Sequence, residues 1–436
     1  MIPPRDPGEM GPSPALPFLT RDTPAVPGVV KERREDFRVE EVPLYEPCGA
    51  GTHVYFTIEK RGLPTMEAAR NVARALGVGE RQIGYAGLKD ARAVTRQRFS
   101  VEHVDPDRVA ALDVPGVRVL DVSRHGNKLR IGHLKGNRFV IRLRQTDPDR
   151  LADVRAVLDV LTRRGLPNFF GPQRFGTRGD TWRIGRALLR QDWDACVDVL
   201  VGQPGPGDRG GILEARQLYE GGQYKAAAEA WPWAFRMERR VCRVLAQTDG
   251  SRPRAFRAVD KQVRRLYVSA YQSWLFNKVV DARIDALDRL WPGDLAYRHP
   301  QGAVFAVTDP TGEQPRCDAM EISPTGPLFG YRMTQPTGKA GQIEAAVLGE
   351  DGFSLDDFRS PGAHRVKGAR RPLRVPITDV AAEAGADGHG PFIELGFFLP
   401  AGSYALSVVR EICKSDAGEP DNADVTSSPS SPDTRQ

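Results

Sequence analysis

The feature that most constrains the fold is a strand-like segment, residues 392–399, that returns late in the chain after a long stretch of different character. Residues 184–247 have a helical pattern that continues through 267–287, and a mixed stretch rich in Gly and Pro extends from 292 to 372. A strand that follows so long an interruption can complete a sheet begun earlier. The sequence therefore predicts that the middle of the chain is an inserted domain.

Two earlier segments, 52–59 and 138–144, alternate between apolar and polar residues, as half-buried strands do. Their inward residues are Val54, Phe56 and Ile58 in the first segment and Phe139, Ile141 and Leu143 in the second.

A helical pattern follows each of these strands. Thr65 is predicted to cap one helix, which ends at Gly77, and Asp147-Pro148 begin another, which ends before Gly165. Their apolar faces contain Met66, Ala69, Val72, Ala73 and Leu76 in the first helix and Leu151, Val154, Val157, Leu158 and Leu161 in the second. Short strands mixed with helices in this way predict an α/β chain of the α+β type, with a mixed, largely antiparallel sheet.

Charge and hydropathy exclude several classes of protein. No run approaches the roughly 18 apolar residues that span a bilayer, and the N-terminus lacks the apolar core of a signal peptide. Both observations predict a cytoplasmic protein without a membrane partner.

The basic residues are mostly arginines. The net charge is +6, and eleven of the 62 basic residues are lysines, which leaves 51 arginines. Arginine suits phosphates and bases, so this bias favours a nucleic-acid partner. A compositional bias toward Arg, Ala, Gly and Pro explains the excess equally well.

The five cysteines are odd in number and widely scattered, without a Cys-x-x-Cys pair, and the seven histidines do not cluster. This pattern predicts reduced thiols and no metal site. The segment 205–210 matches a dinucleotide fingerprint literally, but it lies between two helical stretches and is expected to be a loop. We therefore expect no cofactor.

Three segments are rich in residues that functional sites use. The first contains Gly87-Leu88-Lys89-Asp90, in which Asp90, taken alone, is best interpreted as a turn or cap residue. The second contains Asn168-Phe169-Phe170-Gly171, which suits either a base-stacking loop or a buried aromatic cluster. The third turns from a strand into a helix, with Tyr404 at the bend.

Together these segments resemble the TruD family of tRNA pseudouridine synthases. The resemblance covers nearly all of residues 29–414 and follows the order of the family's motifs. Its other motifs lie at 35–41, 128–130, 134–137, 267–277 and 324–330. Several short motifs in the right order are far more specific than any one of them.

The resemblance implies roles for seven residues. It assigns the catalytic carboxylate to Asp90, with Lys31 as a basic residue able to pair with it, and we expect both Lys31 and the neighbouring Lys89 among the substrate-binding residues. The substrate contacts that it implies are Asn168, the stacking aromatic Phe170, and the pocket aromatics Phe37 and Tyr404. Relatives usually carry phenylalanine at the position of Tyr404, so its hydroxyl group is a departure.

The resemblance also implies the domain organisation. A pseudouridine synthase catalytic domain is expected at 29–189 and 373–414, interrupted by an α/β TRUD domain at 190–372. Residues 1–28 are expected to form a flexible N-terminal arm, and 415–436 a disordered acidic tail. The tail carries a net charge of −4, which leaves +10 on the remainder.

The function implied is conversion of uridine to pseudouridine in tRNA, at position 13 of the D-arm, with neither a metal nor an obligate protein partner. One carboxylate suffices, as a nucleophile at C1′ or as a base at C2′, and both routes stay open. The alternative is a catalytically silent protein that binds or folds RNA. A silent relative has no chemical need for Asp90, which disfavours this alternative.

Overall fold

The computed structural model describes residues 16–299, 301–359 and 365–415. The chain divides into two compact units. The sheet unit consists of Phe18–Leu166 and the segment from Val375 onward, and the helical unit is built mainly from Pro167–Arg374. The predicted insertion at 190–372 therefore differs from the division in the structure, most of all at its N-terminal boundary.

An eight-stranded sheet forms the centre of the sheet unit. Its strands, numbered along the chain, are β1 (Phe37–Pro43), β2 (His53–Arg61), β3 (Gly84–Tyr85), β4 (Val94–Glu102), β5 (Val117–His125), β6 (Leu134–Arg144), β13 (Thr378–Asp387) and β14 (Gly390–Pro400). The order is β13-β14-β6-β1-β4-β2-β5, with β3 paired to β4. The β1–β4 pair is parallel and the other described pairs are antiparallel. The predicted mixed, largely antiparallel sheet is confirmed.

The late strand completes the early sheet, as predicted. Strand β14 pairs along its length with β6, and Leu395 lies opposite Ile141. The alternating apolar residues of β6 and β14 are buried, and so is the apolar face of helix α3 (Leu151–Arg164), which contacts β13 at the end of the sheet.

Strand β2 differs from its prediction, because it is buried on both faces. Val54, Phe56 and Ile58 are fully buried as expected, but Tyr55 on the other face is buried too. The ring of Tyr55 packs with Ala86 and Leu129 from two loops of the same unit. A second layer of loop residues thus covers the face that the alternating pattern assigns to solvent.

Helix α1 (Thr65–Leu76) ends at Gly77, whose φ of 70° is left-handed. Its N-cap residue is Pro64, so the prediction that Thr65 caps this helix is wrong. Helix α3 begins after a short 3₁₀ turn that is capped by Asp147, and it ends at Gly165 as predicted. The remaining helices of the sheet unit are α2 (Pro106–Ala110) and α13 (Leu406–Cys413).

The predicted flexible arm is wrong for residues 18–28. Leu19 and Val26 are buried. The backbone N–H groups of Leu19 and Thr20 donate to the buried carboxylate of Glu411 on α13, at 3.1 and 2.9 Å. A few well-placed anchors therefore fix a segment whose composition predicts disorder. Residues 1–15 of the predicted arm, and 416–436 of the predicted acidic tail, lie outside the described residues.

Nine helices and four strands make up the described part of the helical unit. The helices are α4 (Thr181–Leu189), α5 (Trp193–Val201), α6 (Gly210–Glu220), α7 (Tyr224–Ala230), α8 (Arg236–Gln247), α9 (Arg252–Arg257), α10 (Lys261–Ala282), α11 (Pro310–Asp318) and α12 (Gly338–Glu350). The strands β8 (Leu295–Arg298), β9 (Val304–Ala306), β10 (Ile322–Leu328) and β11 (Ala369–Pro372) form an antiparallel sheet in the order β11-β10-β8-β9. The short strands β7 (Leu166–Pro167) and β12 (Arg374–Val375) lie where the chain passes between the units.

Helix α10 packs closely against α4, which fixes the start of the helical unit. The Trp182 and Trp274 rings stack with centroids 4.2 Å apart. A Cβ atom at Gly185 would lie 2.1 Å from the Tyr267 carbonyl oxygen, so only glycine allows this approach. Because α4 belongs to this packing, the division between the units falls before α4 rather than after it. Among helices within the described ranges, none is both long and apolar enough to cross a bilayer.

Candidate active site

Asp90 lies in the loop between β3 and β4, and both of its carboxylate oxygens accept hydrogen bonds. The Lys31 ammonium donates to Oδ2 at 2.5 Å, and the Arg92 backbone N–H donates to Oδ1 at 2.9 Å. The Asp90 side chain keeps 29% of its exposure, whereas that of Lys31 keeps 4%. The cation is thus enclosed by protein while the carboxylate reaches the surface, where a substrate atom can approach it.

Lys31 adopts a backbone conformation that is unfavourable for a side-chain-bearing residue. Its φ is 58°, in the left-handed region. A non-glycine residue held there costs on the order of 1–3 kcal/mol, and such residues cluster at functional sites. The surrounding structure imposes this cost and thereby directs the ammonium group at Asp90.

Phe37 is the third predicted residue in this cluster. The Lys31 Nζ atom lies 4.7 Å from the Phe37 ring centroid, within cation–π range. The ring is buried and meets Phe139 edge to face at 6.3 Å. The structure therefore brings Lys31, Phe37 and Asp90 together, with the aromatic ring supporting the lysine.

Lys89 forms a buried ion pair. Its ammonium lies 2.7 Å from Glu41 Oε2, and both side chains are almost completely buried. This pair has a structural role, because a buried charge needs an equally buried partner, and the role of Lys89 in substrate binding stays a prediction. The pair connects the Asp90 loop to strand β1.

Lys60, which the sequence analysis missed, binds the backbone of the Asp90 loop. This fully buried lysine donates to the Leu63 carbonyl oxygen at 2.6 Å and to the Asp90 carbonyl oxygen at 3.0 Å. Burial lowers the pKa of Lys60 to about 8, although the Asp90 carboxylate acts in the opposite direction. The signal was present, since Lys60 continues the apolar face of Val54, Phe56 and Ile58 at a spacing of two residues.

Thr65, predicted only as a helix cap, and Gln97, which the sequence analysis missed, also hold this loop. The Thr65 hydroxyl accepts from the Lys89 backbone N–H at 2.8 Å and donates to Gln97 Oε1 at 2.9 Å. Both side chains are buried. Two buried polar groups that bind each other and the loop fix the backbone immediately before Asp90.

Asn168 lies in the helical unit, where hydrogen bonds hold its side-chain amide. Its Nδ2 donates to the Pro372 carbonyl oxygen at 2.8 Å, and its Oδ1 accepts from the Arg371 guanidinium. The backbone N–H of Asn168 donates to the Leu373 carbonyl oxygen at 2.9 Å. The amide thus ties the loop to the end of strand β11.

Phe170 lies beside Asn168 and is held by its backbone. The Asn277 amide accepts from the Phe170 N–H at 2.8 Å and donates to its carbonyl oxygen at 2.9 Å. The Arg371 guanidinium lies 4.4 Å from the ring centroid, and Phe276 meets the ring edge to face at 5.6 Å. The ring is 8% exposed, so Arg371 occupies the surface on which a base was predicted to stack.

Tyr404 lies at the bend between β14 and α13, as predicted, with 39% of its surface exposed. Its carbonyl oxygen accepts from the Ser407 N–H at 3.1 Å, and its hydroxyl donates to no described residue. Its ring is therefore presented to solvent. Across the described ranges, no group of three or more His, Cys, Asp or Glu side chains is placed to hold a metal ion.

A family model described as tRNA pseudouridine synthase D matches residues 16–412. The chain belongs to the TruD family. This membership spans both units, and it confirms the resemblance drawn from the short motifs.

Individual TruD proteins are similar over almost their whole length. The tRNA pseudouridine synthase D of Geobacter metallireducens is 49% identical over 404 residues, which cover 93% of this chain and 98% of the relative. That of Anaeromyxobacter dehalogenans strain 2CP-C is 41% identical over 412 residues, which cover 93% and 99%. A Methanosarcina mazei protein whose crystal structure was solved under the TruD name superposes with a TM-score of 0.81 at 28% identity, covering 92% of this chain and 97% of that one.

Proposed function

We propose that this TruD-family chain converts uridine to pseudouridine in tRNA, at position 13 of the D-arm, with Asp90 as its catalytic carboxylate. The observation that carries the proposal is the environment of Asp90. A buried lysine contacts one carboxylate oxygen and a backbone N–H fixes the other, while the group stays accessible. The tRNA is the substrate named for the relatives, and position 13 of the D-arm is what the resemblance to the family implies.

The reaction requires one reactive group with controlled charge. The N1–C1′ bond breaks, the uracil turns, the C5–C1′ bond forms, and the C5 proton leaves. Substrate and product are isomers, so no oxidant, reductant or group donor enters the balance, and we propose that the chain uses no cofactor. The Lys31 cation, 2.5 Å from the carboxylate, stabilises its negative charge against the loss of water when substrate covers the site.

Two roles for Asp90 fit this environment. As a nucleophile, the carboxylate attacks C1′ and releases uracil from N1. As a base, it removes the C2′ proton and returns it after C5 attaches. Deuterium at C2′ distinguishes the two roles, because only the second breaks that bond and gives a large primary isotope effect.

Asn168 and Phe170 are proposed to contact the RNA base. A flat aromatic ring beside an amide offers both stacking and hydrogen bonding to an unstacked base. In the structure Arg371 covers the ring and binds the amide. Binding of a base on Phe170 therefore requires Arg371 to move, and its guanidinium can then extend the stack or contact a phosphate.

The test is tritium release from tRNA transcripts that carry 5-tritiated uridine, together with carbodiimide-dependent reverse-transcription stops that locate pseudouridine. Release with a single stop at position 13 supports the proposal. Tight tRNA binding without release or a stop would identify a silent RNA-binding protein instead. Turnover by the purified chain alone also tests whether a protein partner is needed.

We place this activity in the cytoplasm. All five cysteines are free thiols in the structure, as expected in a reducing compartment.

A further inference from the structure

The helical unit carries a strongly basic surface on α8, α9 and the first turns of α10. We call it the arginine face. Its exposed members are Arg236, Arg240, Arg243, Arg254, Arg257, Lys261 and Arg265. Residues 236–265 contain ten basic and three acidic residues, a net charge of +7, whereas the whole chain carries +6. Of the net charge of +10 outside the acidic tail, +7 therefore lies in these thirty residues.

The packing of α8 directs its arginines outward. Val241, Cys242 and Leu245 are buried on one side of the helix. Arg236, Arg240 and Arg243 follow a spacing of four and then three residues, which places them on the opposite side.

The start of α10 lies next to the start of α8. The Tyr267 hydroxyl contacts the Met237 sulfur at 3.9 Å. This contact brings Arg236 and the basic residues at the start of α10 into the same region of the helical unit.

The members of the arginine face form no ion pair with any residue in the described ranges. Arginines elsewhere in the chain do so regularly, for example Arg142, Arg283 and Arg370. A general bias toward arginine in the composition explains their number, but it does not require seven exposed basic side chains without a described ion pair within thirty residues.

The first turns of α10 carry positive charge where it opposes folding. Lys261, Arg264 and Arg265 lie there, beside the N-cap residue Asp260, whose carboxylate accepts from the Gln262 backbone N–H at 2.7 Å. The N-terminus of a helix carries partial positive charge, and a cation close to it costs about 0.3–1 kcal/mol. The three cations therefore oppose the stabilisation that the Asp260 cap supplies, and an anionic ligand would offset their cost.

Aromatic and apolar groups accompany the charges. Trp233 is 70% exposed, and the Arg236 guanidinium lies 5.4 Å from its ring centroid. Leu266 is 58% exposed beside Arg265. Flat rings among arginines are typical of surfaces that bind RNA, where cations contact phosphates and rings stack on bases or riboses.

We propose that the arginine face binds the sugar–phosphate backbone of tRNA and supplies affinity rather than chemistry. The identity of the RNA rests on the proposed function. The surface itself is inferred from charge, exposure and unpaired side chains. It also gives a role to the helices between α4 and α10, which the motifs around Asp90 leave unassigned.

The test compares two matched pairs of charge reversals. Arg236→Glu/Arg240→Glu changes the arginine face, and Arg70→Glu/Arg74→Glu is the control. Each pair consists of exposed arginines four residues apart on a twelve-residue helix, α8 or α1. The two variants therefore change net charge equally. Circular dichroism and thermal melting establish that both are folded.

Affinity for unmodified tRNA is measured by filter binding between 50 and 300 mM salt, and turnover by tritium release. We expect the arginine-face pair to weaken binding about tenfold or more and to reduce the slope of log K against log salt by about 1.5, since each phosphate contact contributes about 0.7–0.9. We expect kcat at saturating tRNA to be unchanged. The control pair should alter affinity less than about twofold. Arg236→Lys/Arg240→Lys should retain most of the affinity, because charge is what contacts phosphate.

Three results would overturn the proposal. They are equal losses from both pairs, no loss from the arginine-face pair, and a loss of binding to phosphatidylglycerol vesicles with tRNA binding intact, which would assign the face to a lipid surface. Failure of the proposed function gives a different result. In that case the wild-type chain releases no tritium, yet its tRNA binding still depends on the arginine-face pair.

Discussion

The Asp90 loop and the Asn168–Phe170 segment are held in place by different kinds of interaction. Around Asp90 the supports are buried charges, with Lys31 on the carboxylate, Lys89 on Glu41, and Lys60 on backbone carbonyl oxygens. Around Phe170 they are neutral amides and aromatic rings, with the guanidinium groups of Arg371 and Arg174 4.4 and 5.6 Å from the ring centroid.

The difference follows from what each region is proposed to do. A reacting carboxylate needs its charge controlled, and in a low-dielectric interior only another charge does this strongly. A base that is merely held needs a flat surface at a fixed position. A buried ion pair does not tolerate replacement of one residue, because the other charge is then left buried without a partner. A packed apolar side chain can be replaced by another of similar shape at little cost in stability.

The largest expected effect is that of Asp90→Asn, which keeps the size of the side chain and removes its charge. Turnover should fall about 10⁴-fold or more, as it does when other enzymes lose a catalytic nucleophile, while tRNA affinity changes little. Tritium release and filter binding measure the two quantities. Asp379→Asn is the control, since Asp379 pairs with Arg138 in the same unit, and it should leave turnover intact. Near-normal release by a folded Asp90→Asn protein would remove Asp90 from the mechanism.

Replacing each of the two ion-paired lysines separates a reactive pair from a structural one. Lys89→Met leaves Glu41 buried without a counter-charge, and the free energy of unfolding should fall by about 3 kcal/mol. Lys31→Met should cost less stability, because Asp90 is 29% exposed and water can solvate it, but turnover should fall.

Urea denaturation and tritium release measure these effects. The double variant Lys89→Met/Glu41→Gln should recover part of the lost stability, because no charge is then left unpaired. Equal destabilisation by the two single lysine variants would contradict the distinction.

Phe170→Leu addresses the packed region. Aromatic stacking on a base contributes about 1–3 kcal/mol, so kcat/KM for tRNA should fall about tenfold or more. Phe170→Tyr keeps the ring and should retain most activity. Phe37→Leu is the comparison, because its ring supports Lys31 and packs on Phe139. It should lower the melting temperature, and a larger catalytic loss than for Phe170→Leu would reverse the assignment of the stacking aromatic.

The smallest effect concerns the pH dependence of stability through Lys60. Its pKa is about 8 in the folded chain, against 10.5 for an ordinary lysine. Between these values the unfolded chain binds more protons, so the stability of the wild type relative to Lys60→Met should rise as pH increases from 8 to 10.5. Urea denaturation across this range measures the difference. A difference that falls or stays level with increasing pH would show that Lys60 does not titrate in this way.

Regular patterns made much of the sheet unit predictable. Alternation in β2 and β6 and the return of β14 identified strands that do pair, because a strand with one apolar face has few places to bury it. The buried positions of α3 were equally readable. The packing of 18–28 was not, since it depends on two apolar residues and a carboxylate almost four hundred residues away.

The motif residues of the site were predictable from the sequence, whereas most of the residues that hold them in place were not. Asp90 and Lys31 were named from family motifs, and the structure brings them together. The ion pair of Lys89 with Glu41 was not foreseen, because proximity in sequence does not show which way a side chain points. Lys60 was missed because a single polar residue in an apolar pattern indicates burial without showing its partner.

The pairing of β14 with β6 has a consequence for synthesis on the ribosome. Strand β6 emerges early, but its neighbour on one side is encoded about 250 residues later, after the whole helical unit. Until then the N–H and C=O groups along this edge of β6 are unpaired, and a strand of another chain can pair with them. The isolated bridge from Val29 to Arg144 covers only its last residue. We therefore expect ribosome-bound chains that stop before residue 390 to bind chaperones. We expect the chaperones to dissociate once β14 has left the exit tunnel and can pair with β6.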